Sequence, residues 1–483
     1  MGDNCPRFVS RFPLLISLLC CPFSFEYVVG SHRFVLPVFC CLVRHILHGD
    51  GFPSLDSLGE DGCCYSAPVR MDQFLSTCGR RMRFPVGGIL AQTARAQGAR
   101  INATVGVALR DDRAPMGLPS LEASLGVPPA DALPYAPSHG KLPLRKLWGE
   151  LLRSKNPSLL GPVSTPVVVA GLTHGLRVAA ELFLDPGDEL LLAAPYWENY
   201  DLVFRDLSQA RLCSFPLFDG QSFHGNGLRA ALQRGPQKKV LLLNVPNNPT
   251  GYSLRTGEML EVCALLRACA EQGNDIVVII DDAYFGLVYE EGVWRESLFA
   301  PLSHLHERVL AVKVDGCSKE DYAWGLRVGF LTYGGKGLRP EDLRTLEDKT
   351  AAIIRGTLSN VSHLSQSVVL HTLQSPTYWE ERAANAVILE RRFRVAWTAV
   401  NHAAANGSFH VLPCNSGYFL CLELCDGLSA GTVQERLLQE HGIGVVTVGN
   451  RLLRVAFSAI PEAEIPDVFR CVAQICSSHS LLV

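Results

Sequence analysis

Apolar runs typical of buried strands alternate with helical patterns through the middle of the chain. Three such runs are PVVVA at 166–170, KKVLLLNVP at 238–246 and DIVVIIDDAY at 275–284. Strands that are apolar along their whole length are expected where helices cover both faces of a parallel sheet. The alternation therefore predicts an α/β fold with a doubly wound, mostly parallel sheet.

The pattern changes after about residue 388, where a long helical stretch leads to the strand-like runs at 409–424 and 442–460. A chain of 483 residues is long enough for two domains. We predict a large domain at 117–388, a smaller α/β domain at 389–483, and an N-terminal segment at 81–116 that joins the smaller one.

Residues 1–80 differ from the rest and are predicted to form a leader. Their apolar runs at 12–25 and 34–43 are shorter than the roughly 18–20 residues that a membrane-spanning helix needs. Two interpretations stay open, a targeting extension and a poorly ordered leader without a function. We expect a cytoplasmic protein, with an organellar or membrane-associated location through residues 1–80 as the alternatives.

Charge and cysteine spacing exclude some classes of partner. The formal net charge is −3, from 44 basic and 47 acidic side chains, which gives no electrostatic reason to expect a nucleic-acid partner. No C-x-x-C pair occurs among the 17 cysteines. The spacing of zinc ribbons and redox motifs is therefore missing, and we expect reduced cysteines and no metal site.

Reactive side chains follow four of the strand-like runs. Gly171–Gly175 opens a helix, which makes an anion site. Pro246–Gly251 carries two side-chain amides, Asp281 and Tyr284 follow a buried run, and Lys319 lies between two others. Because ligands of such sheets bind at the carboxyl ends of the strands, these groups are expected to meet.

One cofactor uses all of these groups, pyridoxal 5′-phosphate. Its phosphate needs an anion site, its aldehyde needs a lysine amine, and its pyridine nitrogen needs a carboxylate. A buried aspartate is costly unless it meets a cation, and the pyridinium nitrogen is one. We therefore predict that Lys319 anchors the cofactor covalently.

The motifs NNPTG at 247–251, DDAY at 281–284 and SKEDYAWGLRVG at 318–329 resemble those of the fold-type I pyridoxal phosphate enzymes. Among these enzymes, the chain resembles the class I/II aminotransferases, the group that includes the aspartate aminotransferases. The resemblance covers residues 84–483. It implies a large cofactor-binding domain and a smaller α/β domain.

The resemblance assigns roles around the cofactor ring. Lys319 is expected to form the Schiff base and to shuttle the proton, and Asp281 is expected to pair with the pyridine nitrogen. Asn248 and Tyr284 would form hydrogen bonds with the 3′ oxygen of the cofactor, and Trp197 would stack on the cofactor ring. The expected catalytic residues are Lys319, Asp281 and Tyr284.

The resemblance also implies a phosphate site made by Arg327, the Leu172–Thr173 backbone and the Thr173 hydroxyl. Tyr135 is expected to reach the phosphate from a neighbouring subunit, which implies a homodimer with shared active sites. Two positions depart from the family pattern. Gly316 stands where a serine often contacts the phosphate, and Leu172 stands where glycine is frequent.

Four residues are expected to contact the substrate. Arg454 would bind the α-carboxylate as a bidentate pair, Asn248 would assist it, and Gly106 belongs to the segment that closes over the substrate. Arg355 occupies the position at which family members specific for dicarboxylic substrates have a second arginine. In those members the arginine comes from the other subunit and binds the distal carboxylate of the substrate. An arginine also occurs there in members that act on other amino acids, so both interpretations stay open.

The sequence therefore predicts an aminotransferase that moves an amino group from an L-amino acid to a 2-oxo acid, with 2-oxoglutarate expected, by a ping-pong mechanism. Two alternatives stay open. One is a lyase, synthase or decarboxylase with the same fold and cofactor. The other is a non-catalytic protein that binds the cofactor for regulation.

Overall fold

The computed structural model describes residues 26–29, 32–35, 71–85 and 87–480. The chain divides into two units, Met1–Gln73 and Phe74–Val483. In the first unit, two short strands pair antiparallel, with Glu26 opposite Val35. The apolar run at 12–25 and most of the run at 34–43 lie outside the described residues, so the predictions about the leader stay predictions.

The strands are β1 (Glu26–Val29), β2 (His32–Val35), β3 (Ile101–Asn102), β4 (Val167–Val169), β5 (Glu189–Ala194), β6 (Arg211–Pro216), β7 (Phe218–Asp219), β8 (Ser222–Phe223), β9 (Lys238–Asn244), β10 (Asp275–Asp281), β11 (Val309–Gly316), β12 (Gly329–Gly335), β13 (Phe409–Val411), β14 (Phe419–Leu424), β15 (Ile443–Gly444), β16 (Val446–Val448) and β17 (Leu452–Ala456).

The α-helices are α1 (Thr77–Arg81), α2 (Ile89–Arg95), α3 (Pro119–Ala123), α4 (Leu142–Lys155), α5 (Gly171–Phe183), α6 (Gly225–Leu232), α7 (Thr256–Glu271), α8 (Phe299–Leu302), α9 (Cys317–Glu320), α10 (Pro340–Thr357), α11 (His363–Leu373), α12 (Tyr378–Ala404), α13 (Ala430–His441) and α14 (Ile465–Ser480). A π-helical segment covers Asp201–Leu207. Among the described residues, no helix combines the length and the hydropathy that crossing a membrane requires.

The main sheet has seven strands in the order β4-β12-β11-β10-β9-β5-β6. The neighbours from β11 to β6 run parallel, and only β12 runs antiparallel to both of its neighbours. Along β9, Leu242 belongs to one hydrophobic core, whereas Leu241 and Leu243 belong to another. Both faces of the sheet are therefore covered, and the predicted doubly wound, mostly parallel α/β sheet is confirmed.

A second sheet of four antiparallel strands, β13-β14-β17-β16, lies in the C-terminal part of the chain. Helices α12 and α14 pack against each other beside it. The N-terminal segment contributes β3, which pairs parallel with β15. Residue 388 falls inside α12, so this helix runs through the predicted boundary. The division into a large and a small domain stays a prediction.

Candidate active site

One cavity of about 190 Å³ lies at the carboxyl ends of the parallel strands. Ten of the twelve site residues that the sequence predicts line it: Gly106, Leu172, Thr173, Trp197, Asn248, Asp281, Tyr284, Lys319, Arg327 and Arg454. Segments that are more than 300 positions apart in the chain therefore meet at one place. The turns after β4, β9, β10 and β11 supply most of this lining, as expected for a ligand site of an open α/β sheet.

Lys319 lies on the short helix α9, directly after β11. Its Nζ atom lies 5.0 Å from the centre of the Tyr284 ring. Burial lowers the pKa of Lys319 to about 8, with Asp281 opposing this effect and Arg327 adding to it. A lysine in this environment is partly neutral near physiological pH, which an amine needs in order to act as a nucleophile or a base.

Asp281 closes β10 and is 3% exposed. The Tyr200 hydroxyl donates a hydrogen bond to its Oδ2 (2.6 Å), and the Ala283 backbone N–H donates to its Oδ1 (3.1 Å). Burial raises the pKa of Asp281, while the Tyr200 hydrogen bond and the charge of Lys319 counteract that rise. The carboxylate is therefore a buried group that a cation in the cavity would stabilise.

The neighbouring Asp282 points away from this site. It accepts a hydrogen bond from the Ser297 hydroxyl (2.5 Å) and forms a buried ion pair with Lys313, which also pairs with Asp315 at 2.9 Å. This separation follows from the alternation of side chains along an extended strand. The two adjacent aspartates thus have different roles.

Another part of the cavity lining has the features of an anion site. Helix α5 begins at Gly171, whose φ is +76°, and a Cβ atom there would collide with the Arg327 guanidinium. The N–H groups of the first turn and the positive end of the helix dipole favour an anion at this end. Ser318 also lines the cavity, and its buried hydroxyl has no hydrogen-bond partner in the described part of the chain.

The backbone explains why glycine occupies position 316. A Cβ atom on Gly316 would lie 2.6 Å from the Gly329 Cα and 2.7 Å from the Val328 carbonyl oxygen. Strand β12 passes too close for a serine at that position. Ser318, two residues later, lines the same cavity and carries a hydroxyl.

The third side of the cavity carries Arg454, which lies on β17 and is 2% exposed. Its Nη1 donates to the Asn248 Oδ1 (3.1 Å), and its Nη2 donates to the Thr104 carbonyl (2.8 Å). The guanidinium lies 4.1 Å from the centre of the Phe419 ring. Within the described residues it forms no salt bridge, so a substrate carboxylate would supply the missing counter-charge.

Two predicted site residues are not in this cavity. Tyr135 is 90% exposed, and Arg355 is exposed and donates a hydrogen bond to the Ser359 hydroxyl (2.6 Å). Both were expected to act across a dimer, and one chain cannot place them in its own site. Their roles stay predictions.

Several lining residues were missed from the sequence. The sequence could have indicated Tyr200 and Asn244 as site residues, because Tyr200 belongs to PYWENY and Asn244 closes the β9 run. Asn244 donates a hydrogen bond to the Asp281 carbonyl (2.9 Å). Ile89 and Phe419 carried no signal, because they are ordinary apolar residues from distant segments that only the fold brings here.

These observations fit pyridoxal 5′-phosphate. Arg327, the α5 N-terminus and the unpartnered Ser318 hydroxyl suit its phosphate, Asp281 suits its ring nitrogen, and Lys319 suits its aldehyde. The cavity lining thus offers a guanidinium, an amine and a buried carboxylate, which are the groups that this cofactor needs.

Comparison with known proteins decides the family. The sequence profile of the family described as Aminotransferase class I and II matches residues 130–470. The chain belongs to this family. Its members depend on pyridoxal 5′-phosphate, so the predicted activity class and cofactor are confirmed, and the protein is a pyridoxal phosphate-dependent aminotransferase.

Individual relatives are distant. The chain is 22% identical over 343 residues to a Bacillus subtilis protein named "Probable N-acetyl-LL-diaminopimelate aminotransferase", and the match covers 67% of this chain and 77% of that protein. It is 26% identical to an arginine–pyruvate transaminase of Pseudomonas aeruginosa, over 65% of this chain and 73% of that protein. These relatives are named for different amino acids, so they do not specify a substrate here.

Solved structures share the fold. The crystal structure of an aminotransferase from Anaerococcus prevotii superposes with a TM-score of 0.73 at 24% identity. The superposition covers 83% of this chain and 99% of that protein. The fold predicted from the alternating strands and helices is therefore that of known aminotransferases.

Proposed function

We propose that the protein transfers the amino group of an L-amino acid to a 2-oxo acid, with Lys319 as the catalytic base and cofactor anchor. The observation that carries this proposal is one cavity that holds a buried lysine with a pKa of about 8, the Asp281 carboxylate and the Arg454 guanidinium. When bound, pyridoxal 5′-phosphate supplies an electron-withdrawing ring that stabilises negative charge at the substrate α-carbon.

Arg454 positions the substrate. Its two Nη atoms are held by Asn248 and Thr104, which fixes the plane of the guanidinium before a substrate arrives. The α-carboxylate of an amino acid would bind this plane as a bidentate pair. That contact directs the α-carbon toward Lys319 and orients its proton for removal.

Lys319 moves the proton. In its neutral form the Nζ atom can accept the proton of the substrate α-carbon and then donate it to another atom of the reacting system. Asp281 keeps a proton at the ring nitrogen, because a buried carboxylate hydrogen-bonded by Tyr200 strongly favours a cation beside it. The packing of Tyr284 beside Lys319 limits the orientations that the amine can take.

Arg327, the α5 N-terminus, Thr173 and Ser318 would hold the phosphate. We further propose a homodimer in which Tyr135 of each subunit completes the partner's phosphate site. Its 90% exposure supports this proposal, because a large aromatic side chain that the described residues leave uncovered is suited to a contact with a second subunit. The proposed acceptor is 2-oxoglutarate.

Product analysis tests this function. The purified protein, loaded with cofactor, would be incubated with single L-amino acids and 2-oxoglutarate, and the products identified by mass spectrometry. We expect one oxo acid and one glutamate for each amino acid consumed, with no products from Lys319→Ala. The matched control is Lys336→Ala, which removes an exposed lysine and should leave the yield unchanged. Ammonia without glutamate, or carbon dioxide, as the main product would instead indicate a lyase or a decarboxylase.

A further inference from the structure

A second cavity adjoins the active site and shares two residues with it, Ile89 and Trp197. Its volume is about 480 Å³, against about 190 Å³ for the active-site cavity. The walls come from the segment around the start of α2 and from the segment that follows β5. Because Ile89 and Trp197 line both spaces, the second cavity lies directly beside the one that holds Arg454.

The lining of this second cavity is mostly apolar. Its apolar side chains include Met82, Phe84, Leu90 and Leu202. Phe84 is 70% exposed and Leu90 is 69% exposed, so the described part of the chain leaves apolar surface of these two side chains uncovered. An uncovered apolar surface beside a reaction site is suited to an apolar part of a ligand.

The acidic group in this cavity is already engaged. The Glu198 side chain accepts a hydrogen bond from the Ile89 backbone N–H (2.5 Å) near the start of α2. A Cβ atom on Gly88 would lie 2.7 Å from the same carboxylate oxygen, so the carboxylate fits closely against this turn. Glu198 thus fixes the wall that Ile89 forms.

We propose that this cavity binds the side chain of the amino donor, and that the preferred donors are amino acids with an aromatic or long aliphatic side chain. The proposal rests on the proposed function, in which Arg454 holds the α-carboxylate. With the α-carbon directed toward Lys319, the side chain passes between Ile89 and Trp197. A small donor such as alanine does not reach the apolar walls, whereas phenylalanine and leucine do.

The first measurement is the kcat/KM of the cofactor-loaded protein for phenylalanine, leucine, alanine, aspartate and glutamate with one acceptor. We expect phenylalanine and leucine to exceed aspartate and glutamate. If no amino acid reacts, the proposed function itself fails. If aspartate or glutamate lead, the proposed function stands and the inference is overturned.

The second measurement places a charge in the cavity. Leu90→Asp should lower kcat/KM for phenylalanine about tenfold and change that for alanine by less than about twofold, because only the longer side chain loses its apolar contact. The matched control is Leu260→Asp, which changes a 59% exposed leucine on α7 and should affect neither substrate. Equal losses for phenylalanine and alanine in Leu90→Asp would contradict the inference.

The third measurement does not depend on turnover. 3-Phenylpropionate, which has the carboxylate and ring of phenylalanine but no amine, should bind the unmodified protein more tightly than succinate in a calorimetric titration. Leu90→Asp should weaken this binding about tenfold and leave succinate binding unchanged. Tighter binding of succinate, or equal binding of 3-phenylpropionate to both proteins, would show that the cavity does not receive the side chain.

Discussion

Two buried lysines six positions apart show how single residues acquire different chemistry. Lys313 pairs with Asp282 and Asp315, and these carboxylates raise its pKa although burial opposes them. Lys319 has no carboxylate at ion-pair distance in the described structure, and burial lowers its pKa to about 8. One lysine is therefore a structural cation and the other a reactive amine.

The pKa of Lys319 predicts how cofactor attachment depends on pH. Only the neutral amine can attack an aldehyde, so the rate at which the cofactor-free protein incorporates pyridoxal 5′-phosphate should rise with pH and level off above about 8. Stopped-flow absorbance at a series of pH values measures this rate. A rate that still climbs between pH 9 and 10, as expected for an ordinary lysine with a pKa of about 10.4, would contradict the assignment.

The charge of Asp281 is predicted to matter more than its shape. Asp281→Asn keeps a side chain of similar size beside Tyr200 but removes the negative charge that holds a proton on the ring nitrogen. Single-turnover rates should fall by a factor on the order of 10² to 10³, while thermal unfolding stays close to that of the unmodified protein. Unchanged rates would mean that another group carries this role.

At the scale of elements, helix α9 is held by buried ion pairs on the side opposite the cavity. Glu320 pairs with Lys155 of α4 at 2.7 Å and with Arg382 of α12 at 2.9 Å. The next residue, Asp321, accepts a hydrogen bond from the Tyr378 hydroxyl at 2.7 Å. Helices from two parts of the chain thus fix the short helix that presents Lys319, although a four-residue helix has little stability of its own.

Strand β11 is predicted to depend on its buried lysine. Lys313→Met leaves Asp282 and Asp315 without a counter-charge and should lower the free energy of unfolding by about 3–5 kcal/mol, measured by urea denaturation. The control is Lys238→Met, which removes the exposed ion pair with Asp188 and should cost less than about 1 kcal/mol. Combining Lys313→Met with Asp282→Asn should recover part of the loss. Equal effects of the two lysine changes would contradict this account.

The elements also show what sequence patterns can and cannot predict. Strands β4, β9 and β10 were predictable because each consists mainly of apolar residues, and the groups that follow them were predictable because the ends of parallel strands converge. The antiparallel direction of β12 was not predicted, because direction depends on the length and path of the α9 connection. Ile89 and Phe419 could not be placed, because their roles arise only from packing between distant segments.

At the scale of the whole molecule, the central proposal is an active site shared between two subunits. Tyr135 and Arg355 lie outside the cavity of their own chain. A C2 dimer repeats each contact twice, so one residue that reaches across completes both sites. Two leucines near them in the chain are also exposed among the described residues, Leu133 to 82% and Leu358 to 39%.

Mixing two inactive variants tests the shared site. Lys319→Ala lacks the amine and Tyr135→Ala lacks the group proposed to come from the partner. After unfolding and refolding together in equal amounts, half of the dimers should be mixed, and each mixed dimer holds one intact site. About a quarter of the wild-type activity should then return. No recovery, with dimers confirmed by ultracentrifugation, would mean that Tyr135 acts within its own subunit, and full activity of Tyr135→Ala before mixing would mean that Tyr135 has no role.

The most direct test of the account is the visible absorption spectrum of the cofactor-loaded protein, before and after adding one L-amino acid without any oxo acid. The account predicts that the absorption band of the lysine-bound cofactor disappears with phenylalanine or leucine, returns when a 2-oxo acid is added, and is missing in Lys319→Ala. A band that no L-amino acid changes would contradict transamination at this site.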